Sequence, residues 1–177
     1  MSNNQHEFKY KITVIGDPAV GKTTLIKKYT TGAFQKEYIA TLGAQFSQYE
    51  ETVNDMKMLL IIWDIAGQET FKIMRRKFYS GTSGVIIVFS HGPGEQKSID
   101  HIDTWFREIK KYCGDVPIVL FGNKIDLVDE NILDKYRKKI DSHLKDHGFL
   151  GYFKTSALTG QGVIKAFQSL IKEFYTL

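Results

Sequence analysis

With 177 residues, 42% hydrophobic and 25% charged, the chain has the size and composition of one ordinary globular domain. No apolar run approaches the roughly 18 residues that cross a bilayer, and 24 basic against 20 acidic residues leave a net charge of only +4, which argues against a dedicated nucleic-acid binder. Cys113 is the single cysteine, so an internal disulfide is excluded and a reducing, cytoplasmic setting is expected.

Residues 1–7 are polar, without the apolar stretch of a secretory signal, and are expected to form a disordered tail ahead of a domain at 8–175. Residues 8–15 alternate polar and apolar side chains and lead into Gly16, a strand entering a glycine-bounded loop. Leu25, Ile26 and Tyr29 place a helix over 22–31. Residues 44–53 and 56–63 are two strands joined at Asn54-Asp55, a tight hairpin signal. The continuous apolar runs at 85–89 and 116–121 suit strands covered on both faces, and 151–155 is a weaker third. Helical spacing marks 98–112 (Ile99, Ile102, Phe106, Ile109), 131–147, and a last helix carrying Val163, Phe167, Leu170 and Ile171. Strands alternating with helices predict an α/β fold: a six-stranded, mostly parallel sheet with helices on both faces and one antiparallel edge strand. Ligands in such folds sit in the loops at the carboxyl ends of the strands.

One of those loops, Gly16-Asp17-Pro18-Ala19-Val20-Gly21-Lys22-Thr23, fits the phosphate-loop pattern of P-loop NTPases and lies between a predicted strand and a predicted helix. Glycines at both ends let successive N–H groups of Asp17, Ala19, Val20, Gly21 and the following Lys22, Thr23 and Thr24 face an anion at a helix N-terminus. Lys22 reaches the β- and γ-phosphates, and the Thr23 hydroxyl coordinates Mg²⁺. A second loop, Asn123-Lys124-Ile125-Asp126, follows the strand at 116–121. A carboxylate at Asp126 can accept both N1–H and N2–H₂ of guanine, a donor pair that adenine lacks. Asn123 ties loops together, the Lys124 stem lies along the base, and the backbone N–H groups of Ser156 and Ala157 are offered to guanine O6.

With Trp63-Asp64-Ile65-Ala66-Gly67-Gln68-Glu69 added, the chain resembles the Ras superfamily of small GTPases, over essentially residues 8–175. Thr41-Leu42-Gly43-Ala44-Gln45-Phe46, and the distance from Thr41 to Trp63, resemble the Rab and Ran-like branches most. The resemblance implies a guanine-nucleotide switch that slowly hydrolyses GTP to GDP and phosphate, in vesicle trafficking, transport or signalling. It implies Thr41 as the residue closing over Mg²⁺ and the γ-phosphate, and Asp64 as a further Mg²⁺ holder. The Gly67 N–H would meet the γ-phosphate, Gln68 would position the attacking water, and Phe34 and Tyr38 would supply aromatic cover. Phe46, Trp63 and Phe78 fall where Rab-like proteins present an aromatic triad to effectors, with core packing the equal alternative; exchange factors and activating proteins are the other implied partners. Thr41 and Gly67 flank the hairpin, so one phosphoryl group can tether two loops that relax when it leaves.

Departures from that pattern are specific. Pro18 removes an N–H and crowds an incoming arginine. Leu158 stands where a lysine is common, and Ser90-His91-Gly92-Pro93-Gly94 reads as a flexible loop. The ending Phe174-Tyr175-Thr176-Leu177 carries no prenylation cysteine and Ser2 excludes N-myristoylation; either a lipidated tail is missing from this sequence or no lipid anchor is used, which leaves attachment to the cytoplasmic face of a membrane open. Arg75 and Arg76 read as surface arginines on a mobile helix. His143 and His147 share a helical face but show no third metal ligand, and the Lys135, Arg137, Lys138, Lys139 cluster reads as a solvated face. His6, His91 and His101 suggest nothing specific. The competing readings are a GTP-binding scaffold with negligible hydrolysis and an ATP-using P-loop kinase, the latter opposed by Asn123 to Asp126 and by the lack of an acceptor-substrate domain.

Overall fold

The computed structural model describes residues 8–30, 35–39 and 43–176, with 35–39 described by backbone path alone. In chain order the elements are β1 (Phe8–Gly16), α1 (Lys22–Tyr29), β2 (Gln35–Ile39), β3 (Ala44–Val53), β4 (Met56–Ile65), α2 (Lys72–Phe78), β5 (Gly84–Ser90), α3 (Ile102–Cys113), β6 (Ile118–Asn123), α4 (Glu130–His147), β7 (Gly151–Lys154) and α5 (Val163–Tyr175). The strands form one sheet in the order β2-β3-β4-β1-β5-β6-β7. All six expected strands are present, and β3 alone runs against its neighbours. A seventh, β2, pairs along the outer side of β3, so β3 is not the edge. Its sequence, Gln-Lys-Glu-Tyr-Ile, has no apolar alternation and is held by ladder hydrogen bonds instead.

Period-two alternation divides the strands between two cores. Ile12, Val14, Ile86, Val88, Val119 and Phe121 pack under α1 and α5 with Leu25, Phe167 and Leu170. Ile15, Val85, Ile87, Phe89, Ile118 and Leu120 pack under α3 and α4 with Trp105, Ile109 and Ile140. This two-sided cover explains why β5 is buried along its whole length. The β3–β4 hairpin turns on Asn54 (φ 49°) and Asp55 (φ 64°), two residue types that tolerate the left-handed region such two-residue loops require.

Two boundaries move for local reasons. β6 starts at Ile118 because Pro117 has no N–H to donate, although its carbonyl accepts from Val85 N at 2.9 Å. α3 starts at Ile102 because residues 96–99 form a 3-10 turn, in which the Ser98 hydroxyl accepts from Ser90 N (2.9 Å) and donates to Glu95 O (2.7 Å). The strand order reverses at β1, between β4 and β5, and there the loops after β1 and β4 face one another.

Candidate functional site

The loop after β1 turns sharply into α1 through Gly21, whose φ of +101° favours glycine and whose added Cβ would lie 2.3 Å from Asn123 Nδ2. Lys22 folds back over that loop: its ammonium donates to Gly16 O (2.9 Å) and Asp17 O (2.8 Å). Burial pushes its pKa down to about 8, against the pull of Asp64 and Asp17. Beside it the Thr23 hydroxyl donates to Asp64 Oδ2, which also accepts from Gln45 Nε2 at 2.7 Å. These groups line a cleft of about 300 Å³, together with Ala19, Gly67 and the exposed Gln68. Gly67 closes one wall so tightly that a Cβ there would sit 2.2 Å from Gly16 O.

A second cluster joins this cleft from the far side. Asn123 Nδ2 donates to Val20 O at 2.9 Å, and its Oδ1 accepts from Ala157 N (3.1 Å) and Thr155 Oγ1 (3.3 Å). One buried amide therefore connects the loop after β1 with those after β6 and β7. The Ser156 hydroxyl donates to Asp126 Oδ1 at 2.5 Å, and Lys124, in the left-handed region at φ 65°, ion-pairs with Glu95 at 2.7 Å. Burial works against the Glu95 carboxylate, but hydrogen bonds from Lys124 and Ser90 outweigh it and hold its pKa below the ordinary value. Leu158 stands 75% exposed beside this cluster.

A phosphate-loop backbone, a lysine laid across it and an asparagine stitching it to a carboxylate loop make a nucleotide-type cleft, and the chain matches a sequence model of the Ras family over residues 11–176. The chain belongs to the Ras family. It is 34% identical over 170 residues to Ras-related protein Rab-1 of Theileria annulata, covering 95% of this chain and 75% of that one. It is 35% identical over 167 residues to Ras-related protein Rab7 of Cenchrus ciliaris (92% and 80%), and 33% over 169 to Ras-related protein Rab-13 of Bos taurus (95% and 81%). It is a small GTPase of Rab type, a GTP-binding switch with GTPase activity. GTPases of this family use Mg²⁺ with the nucleotide and engage regulators and effectors.

Within this GTPase, several residues lie elsewhere than their sequence suggests. The Asp17 side chain turns away from the phosphate loop, accepting from His101 Nδ1 (2.5 Å) just ahead of α3 and from Trp105 Nε1 (2.8 Å) on it, while its backbone carbonyl accepts from Lys22. Arg75 is not a surface arginine: it is 1% exposed, ion-pairs with Glu108 at 3.0 Å, and donates to Gln68 O at 2.9 Å. The Ser90–Gly94 loop, expected to be flexible, carries hydrogen bonds through Ser90 Oγ, which donates to Glu95 and accepts from Gly92 N. Phe46, Trp63 and Phe78 pack in a row, with ring centroids 5.0 and 5.2 Å apart and the planes tilted by 30° and 32°. Phe78 is buried and the other two are half-buried. Phe34 and Thr41 lie outside the described residues, and Tyr38 is placed only as a backbone position of β2. Glu95, His101 and Trp105 are site neighbours that the motifs do not contain, and Gln45, which stands in the quoted tract, has a contact with Asp64 that the tract does not announce. Among the described residues no helix is long and apolar enough to cross a membrane.

Proposed function

We propose that residues 8–175 act as one GTPase domain in which the backbone of Asp17, Ala19, Val20, Gly21, Lys22, Thr23 and Thr24, with the Lys22 ammonium, holds the phosphates of GTP or GDP. Asn123, Lys124, Asp126, Ser156 and Ala157 hold the guanine. The observation that carries this is the Asn123 amide, which fixes the phosphate-side loop against Ala157 and so sets the spacing between a triphosphate and a base. Lys22 already sits on two carbonyls of the loop, and an arriving γ-phosphate offers its ammonium a charged acceptor in their place.

Thr23 and Asp64 present hard oxygen donors to each other under the loop, a donor set suited to Mg²⁺. They would hold the ion with Thr41; bound there, Mg²⁺ supplies charge neutralisation at the β- and γ-phosphates. Gln68, whose carbonyl is held by Arg75, positions the attacking water, and the Gly67 N–H meets the γ-phosphate. Phe34 and Tyr38 cover the nucleotide. Among the described residues no arginine lines the cleft, so turnover without a partner is slow, and Pro18 in the lining crowds an arginine that a partner would bring. Loss of the γ-phosphate frees the segments carrying Thr41 and Gly67, and effectors, exchange factors and activating proteins read that change at Phe46, Trp63 and Phe78. The protein acts in the cytoplasm at a membrane face, in trafficking. Gln68 at the cleft favours hydrolysis over a passive scaffold.

The test combines base identity with one substitution. Nucleotide released by acid from the purified protein is expected to be guanine nucleotide, and ADP or ATP would contradict the base assignment. Asp126→Asn removes two charge-assisted hydrogen bonds of about 1.5–3 kcal/mol each, so GTP affinity should fall on the order of 10²–10⁴-fold while xanthosine triphosphate binding rises. Equal GTP affinity in the variant overturns the assignment.

A further inference from the structure

We propose that Asp103, His143 and His147 form a site for one divalent transition-metal ion of the zinc class, apart from the nucleotide cleft. The spacing of the two histidines on α4 puts both rings on one side of the helix, centroids 6.1 Å apart and 19° from parallel. The neighbouring helix α3 supplies the converging third donor, Asp103. Asp103 Oδ1 is 3.0 Å from His143 Nδ1 and 2.6 Å from His147 Nε2, and the three donor atoms all lie within 4.8 Å of one another. Donors bound to zinc at about 2.0–2.2 Å in a tetrahedron stand roughly 3.3 Å apart, so small side-chain shifts convert the cluster into a coordination set.

The surroundings hold the donors in place. His147 stacks on Phe106 at 4.0 Å and meets Phe149 edge-on at 5.4 Å, which fixes its ring plane. The His143 side chain is 10% exposed, whereas Asp103 is 41% exposed and leaves an open side for ion entry and a water as fourth ligand. Nearby cations are already engaged: Lys139 with Asp100, and Lys110 with Asp115. Two imidazole nitrogens and one carboxylate oxygen select zinc-class ions over Mg²⁺ or Ca²⁺, which prefer all-oxygen sets. One cost is visible. Binding through His143 Nδ1 leaves the ring proton on Nε2, which is buried without an acceptor. That places the expected dissociation constant in the micromolar range, weaker than a closed four-ligand centre.

The experiment uses the full chain loaded with GDP and Mg²⁺, titrated with Zn²⁺ against a chromogenic chelator and separately with Co²⁺. Expected are one Zn²⁺ per chain, tetrahedral visible bands with Co²⁺, and Zn²⁺ affinity lowered at least about 10-fold in Asp103→Asn and in His147→Gln. GDP binding serves as the folding control, since neither residue lines the cleft. In the unsubstituted protein, nitrogen NMR should show Zn²⁺ shifting His143 Nδ1 and His147 Nε2, a readout independent of the variants. Zn²⁺ binding equal in all three proteins, shifts confined to other histidines, or no binding at all would each overturn the site and leave the three residues as a hydrogen-bonded clasp between α3 and α4.

Discussion

His91 is a titratable ring that water cannot reach: it is fully buried, its Nε2 shares a 2.8 Å hydrogen bond with the Tyr152 hydroxyl, and its Nδ1 has no partner. Burial, aided by Lys154, pushes its pKa down to about 4 from 6.5. The unfolded chain takes up this proton near 6.5 and the folded chain only near 4. Stability is therefore complete above the upper value and is lost as pH falls through that window, by about 3 kcal/mol in all. Urea denaturation of the GDP-bound protein at neutral and at mildly acidic pH should show this loss. It should be smaller in His91→Gln, which keeps a polar group for Tyr152 without a proton-binding ring; equal losses would mean that another group titrates. Nothing around His91 in the sequence reveals this, because its burial comes from Phe89 beside it and Tyr152, which is 61 positions away.

At the scale of elements, α2 is fastened to α3 by Arg75, whose guanidinium also donates to the carbonyl of Gln68. Arg75→Ala leaves the largely buried Glu108 carboxylate with the Tyr79 hydroxyl as its one remaining hydrogen-bond donor among the described residues, and should cost roughly 3 kcal/mol. A double-mutant cycle with Glu108→Ala measures the coupling; additive losses would place the cost in packing rather than in the ion pair. Repeating patterns made most elements readable from sequence: Ile12 and Val14 against Ile15 in β1, Val163, Phe167 and Leu170 in α5, Asn54-Asp55 between β3 and β4. β2 escapes because Gln35 to Ile39 carry no pattern, only backbone groups to pair. The candidate site divides the same way. Gly21, Lys22, Asn123 and Asp126 stand in short contiguous motifs dictated by backbone geometry, and so are legible. Gln45, Glu95 and Trp105 meet the site across 19, 29 and 88 positions of chain, and only folding brings them there.

Across the whole molecule, two cores clamp one sheet and the loops at its carboxyl edge are cross-tied through Asn123. A ligand touching several of those loops stabilises the fold as a unit. GDP at about 100 times its dissociation constant adds about 2.7 kcal/mol, which for a domain of this size raises Tm by roughly 5–10 °C. Thermal scans with GDP and, at equal concentration, ADP provide the check, and a matching rise with ADP would contradict purine discrimination. The tie through Asn123 also bears on how such a ligand departs. Because one amide bonds to both halves of the crevice, moving either half away from the other should break a hydrogen bond worth about 0.5–1.5 kcal/mol. Ligand departure is therefore expected to be faster in Asn123→Ala, as release of a fluorescent GDP would show.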